Sequence, residues 1–109
     1  MTAATGNVTV APNVLVNLVS LAIREVPGVA QEGGGRRAGL RPKSRLRVVT
    51  QVGAEGVSAD CYLVAQADTN LLELGVAVQA TVAAVLQELA GMTVREVNVY
   101  IQDVEAGSG

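Results

Sequence analysis

Residues 46–65, LRVVTQVGAEGVSADCYLVA, constrain this chain more than any other stretch. Leu46, Val48, Thr50 and Val52 alternate with Arg47, Val49 and Gln51, the period of two that a strand with one buried face requires. Val57, Ala59, Cys61, Leu63 and Ala65 repeat the pattern against Ser58, Asp60, Tyr62 and Val64. Between the two runs, GAEG (53–56) has the length and the glycines of a hairpin turn. The pattern predicts two adjacent strands with one apolar face.

Two other stretches follow the helical period. From Asn13 to Glu25 the polar residues Asn13, Asn17, Ser20 and Arg24 are spaced 4, 3 and 4, one stripe of a helix. Leu15, Leu18, Val19, Ala22 and Ile23 face the other way, Pro12 suits the first turn, and Pro27 with Gly28 ends the helix. A second helix is expected over about 70–90, with Asn70 as N-cap, Glu73 three residues on, and Gly91 beyond its end. Val97, Val99 and Ile101 then alternate with Asn98, Tyr100 and Gln102 as a last strand, and NVTVA (7–11) reads as a short first one. The expected order is β-α-β-β-α-β. This is an α+β fold of two layers, ferredoxin-like or a related split βαβ arrangement, with two helices on one face of a three- or four-stranded, antiparallel-rich sheet. At 109 residues the chain reads as a single domain, 1–109, with a basic glycine-rich loop at 32–45 and a frayed tail at 105–109.

The second helix carries more grease than one sheet face needs. Leu71, Leu74, Val78, Val82, Val85 and Leu89 read as the side that covers the sheet. Leu72, Val76, Ala83 and Leu86, with Gln79 among them, form an adjoining outer stripe. A helix apolar over most of its circumference is buried on more than one side, and in so small a domain the second side points to another copy or another chain. Leu72, Val76, Gln79, Ala83 and Leu86 are therefore the candidate contact residues for self-association or a partner.

The composition excludes most catalytic chemistry. There is no His, a single Cys and only two aromatic residues, Tyr62 and Tyr100. Without His there is no His-based acid–base pair or Cys–His nucleophile, and one Cys with no His cannot supply a zinc site. No catalytic, cofactor-binding or metal-binding residues are expected, and no enzyme. Cys61 falls in the apolar series of its strand and reads as a small buried hydrophobe. No run of 18 apolar residues is present, so no membrane span is expected.

Charge is uneven. The net charge is −2, yet six of the eight basic residues fall within EGGGRRAGLRPKSRLR (32–47). Gly34 and Gly39 have P-loop spacing, but Leu40 stands where the lysine belongs and no helix follows. Arg36, Arg37, Arg41, Lys43 and Arg45 are candidates for contact with an anionic partner, whether an acidic protein, an anionic membrane surface or, through 36–47, nucleic acid. The lack of interleaved aromatics disfavours nucleic acid.

Two longer stretches resemble a known family. GNVTVAPNVLVNLVSLAIREVPGVA (6–30) is similar to the opening of the bacterial alkaline-shock protein family, also called the Gls24-type envelope stress response family, with its Glu-Val-x-Gly-Val exit at Glu25 to Val29. GVAVQATVAAVLQELAGMTVREVNVYIQDV (75–104) resembles its second helix, turn and closing strand, with Gln79, Val82, Gly91, Val94, Val97, Asn98 and Val99 at the matching positions. The resemblance implies a non-catalytic, self-associating adaptor or scaffold linked to cell-envelope stress. It implies a homo-oligomer that docks to a membrane-associated partner and resides in the cytoplasm, at the inner face of the cell membrane through that partner.

Overall fold

The computed structural model describes residues 5–31 and 45–106. Its elements in chain order are α1 (Pro12–Arg24), β1 (Leu46–Gly53), β2 (Gly56–Ala65), α2 (Leu71–Glu88) and β3 (Val94–Val104). The three strands form one sheet in the order β1-β2-β3. β1 and β2 are the expected antiparallel hairpin, with Leu46 opposite Leu63 and Gly53 opposite Gly56. β2 and β3 run parallel, with Cys61 opposite Val99 and Leu63 opposite Ile101, and α2 is the crossover that a parallel pair requires.

The expected strand over 7–11 is not part of the sheet. Residues 7–11 have no regular structure, Ala11 is the extended N-cap of α1, and only Val10 of this stretch leans on the core. The isolated stretch has too few apolar side chains to hold an edge position. Without it, the antiparallel-rich sheet of the sequence reading becomes a mixed one, because β2 and β3 pair directly.

The core lies between the sheet and both helices. Val57, Ala59, Cys61, Leu63 and Ala65 on β2 are buried against Leu15, Val19 and Ile23 of α1 and Leu74, Val78, Val82 and Leu86 of α2. Two glycines shape the connections. Gly28 has φ +100, which lets the chain turn so that Val29 bridges to Ala65, past the start of β1. Gly56 has φ +130, and a Cβ there would be driven into the Thr93 carbonyl, which instead accepts from the Val57 N–H at 2.8 Å. That bond ties the hairpin to the start of β3. At the root of the tail Glu105 donates its N–H to the Ala65 carbonyl at 2.8 Å, and residues 107–109 of the expected frayed tail lie outside the described residues.

Candidate functional site

α2 begins where the Asn70 side chain accepts from the Glu73 N–H at 3.0 Å. Its buried seam runs through Leu74, Val78, Val82 and Leu86, each four residues from the last. Such a row drifts around the helix by about 40° per step, because 3.6 residues make a turn. The expected row was Leu71, Leu74, Val78, Val82, Val85 and Leu89, and two corrections follow. Leu86, expected on the outer stripe, is fully buried in the core, since the drift carries it inward. Leu71 and Leu89, expected on the core side, are 42% and 69% exposed, because one opens the helix and the other caps its end.

The remaining outer stripe faces away from the core. Leu72 is 79% exposed and Val76 56%, while Gln79 is exposed and Ala83 half-buried. Gln79 donates its amide to the Val97 carbonyl of β3 at 3.2 Å. Beside the stripe, Leu71, Leu72, Gly75 and Val76 of α2 and Val99 and Ile101 of β3 enclose an open apolar groove of ≈ 370 Å³. Gly75 keeps its floor clear, since no atom lies within 4 Å of where a Cβ would stand. β3 is the last strand on this side, with no described strand beyond it.

The face of the sheet opposite the helices is also uncovered by any helix or strand among the described residues. Its centre is a row across all three strands, Arg47, Tyr62 and Tyr100. The tyrosine rings stack with centroids 4.9 Å apart and planes 15° from parallel, and the Arg47 guanidinium lies 4.5 Å above Tyr62. Asn98 donates to the Asp60 carboxylate at 3.0 Å beside this row. The Tyr100 hydroxyl is held above its ordinary range by desolvation first, then by the charges of Asp60, Tyr62 and Glu96. The sequence reading missed this site. Both tyrosines occupy the polar phase of their strands, but only the parallel register of β2 and β3 puts them side by side.

Of the candidate anion contacts, Arg36, Arg37, Arg41 and Lys43 lie outside the described residues. Arg45 is engaged: its guanidinium pairs with the Glu105 carboxylate at 2.7 Å and donates to the Gln31 carbonyl at 3.3 Å. Arg47 is held on Tyr62. Cys61 is fully buried, and burial first, then the Asp60 charge, pushes its thiol up to about 12, so it carries no thiolate near neutral pH. Among the described residues no three His, Cys, Asp or Glu side chains gather where a metal could sit. α2 is long and apolar enough to cross a membrane by length and composition, but Leu74, Val78, Val82 and Leu86 pack on the sheet, as in the core helix of a two-layer fold.

The sequence profile of the alkaline-shock protein 23 family, described as having a cell envelope-related function, matches residues 1–106. The chain is similar to the uncharacterized protein YqhY of Bacillus subtilis (strain 168), with 23% identity over 105 residues that cover 92% of this chain and 78% of that protein. Among solved structures it is similar to the copper form of the MamM CTD, with TM-score 0.55, 18% identity, and 85% and 86% of the two chains covered. The zinc form of a MamM CTD variant matches with TM-score 0.56, 17% identity, and 84% and 85% coverage. These structural likenesses concern the fold.

Proposed function

The chain belongs to the alkaline-shock protein 23 family, with its cell envelope-related function, and from that membership we propose that it is a non-catalytic, self-associating adaptor or scaffold of the envelope stress response. In this reading residues 1–109 act as one domain that docks to a membrane-associated partner, and the protein works in the cytoplasm, at the inner face of the cell membrane. Leu72, Val76, Gln79 and Ala83 are its contact residues.

One observation carries the reading. Leu72 and Val76 stand 79% and 56% exposed beside an apolar groove, although the core seam of the same helix is already complete. Covering two such side chains on association stabilises the contact by at most about 1.5–3 kcal/mol each. Sedimentation velocity over a wide concentration range tests it. The expected result is concentration-dependent oligomers that Leu72→Glu converts to folded monomer. A wild-type chain that stays monomeric at high concentration would sink the self-association half of the proposal.

A further inference from the structure

We propose that the edge of β3, which no described strand covers, takes an extended peptide segment of a partner protein, one that alternates apolar residues with arginine. The proposal rests on the adaptor reading and names the chemistry of what is adapted. A strand added beside β3 would turn successive side chains to opposite faces of the sheet. Those in line with Val99 and Ile101 meet the groove walled by Leu72, Gly75 and Val76. The side chain between them comes into line with Tyr100, on the open face.

What belongs at that position is already shown within the chain. Arg47 covers the outward side of Tyr62 at 4.5 Å, and Tyr62 stacks on Tyr100. Along the row Arg47, Tyr62, Tyr100, one end of the stack has a guanidinium and the other end has nothing among the described residues. Tyr100 is 45% exposed. Its surroundings carry acidic groups: Asp60, Glu96 and Asp103 occupy the same face by register. A planar guanidinium fits both the ring and the carboxylates, whereas a phosphate would meet repulsion from three carboxylates. Gln79 already satisfies the Val97 carbonyl of the outermost strand at 3.2 Å, so the segment pairs with β3 toward Val99 and Ile101.

The test uses fluorescence anisotropy of a labelled synthetic peptide as long as β3, alternating valine and arginine, titrated with the full chain. Controls alternate valine with glutamate and serine with arginine, and a single-stranded RNA serves as competitor. The expected result is saturable binding of the valine–arginine peptide alone. It should weaken about tenfold in Tyr100→Ala and in Leu72→Glu, with slowed amide exchange along β3. No binding, equal binding of either control, or displacement by RNA would overturn the proposal. It would also fall if the peptide failed to bind while Tyr100→Ala converted oligomers to monomer, since a second copy would then occupy the edge. That last outcome leaves the self-associating scaffold intact, so the two readings fail separately.

Discussion

Cys61 shows what one buried position can do to a titratable group. Its neighbours across the sheet are Val48 and Val99, and its thiol is raised from 9.0 to about 12 by burial first and by Asp60 second. A raised value means that the folded state keeps the proton where the unfolded chain releases it. The resulting stability is therefore fully present below pH 9.0 and is lost as pH climbs toward about 12. Denaturant midpoints should fall across that window, and Cys61→Ala should flatten the fall. Alkylation by iodoacetamide near neutral pH should be slow in the native protein and fast in denaturant. Leu86 and Leu72 make the second contrast at this scale. Leu86→Ala should lower stability by about 2–5 kcal/mol, as expected for emptying a core site. Leu72→Ala, on a side chain 79% exposed, should change it by less than about 0.5 kcal/mol. Equal losses in urea unfolding would refute the drift of the α2 seam.

At the scale of elements, α2 matters most, because it bridges β2 and β3 and carries both the core seam and the outer stripe. Its start was legible in the letters. Asn70 does cap the helix, and Asn70→Ala should cost about 1 kcal/mol in thermal or urea unfolding. An unchanged midpoint would mean that the cap contributes nothing. β3 runs from Val94 to Val104, longer than the 97–102 that its clean alternation marks, because backbone pairing with β2 continues through irregular register at both ends. The stretch over 7–11 had a strand's alternation and is not one. Two valines alternating with polar residues specify a face only where a neighbouring strand offers pairing.

For the whole molecule, the layers are asymmetric. Both helices cover one face of the sheet, while the other keeps its Arg47–Tyr62–Tyr100 row with no helix or strand over it among the described residues. Arg45 and Glu105, 60 residues apart in sequence, close one end with an ion pair at 2.7 Å. Both partners are about one-third exposed, so Arg45→Ala should cost no more than about 1 kcal/mol. A larger loss in thermal unfolding would show that this clasp also orders the chain around it.

Periodicity alone determined the hairpin, both helices, the last strand and the inward phase of the strands and of α1, because a period of 2 or 3.6 is imposed residue by residue by backbone geometry. It also marked Leu72 and Val76 as surplus to the core. Three things were decided only by packing. Pairing between β2 and β3, distant in sequence, set the parallel register and so brought two polar-phase tyrosines into one stack. The two valines of residues 7–11 were too little apolar surface to hold an edge position, so this stretch lies outside the sheet. Packing of α2 against β3 and α1 chose which row of side chains became the seam, and with it moved Leu86 from the predicted surface into the core.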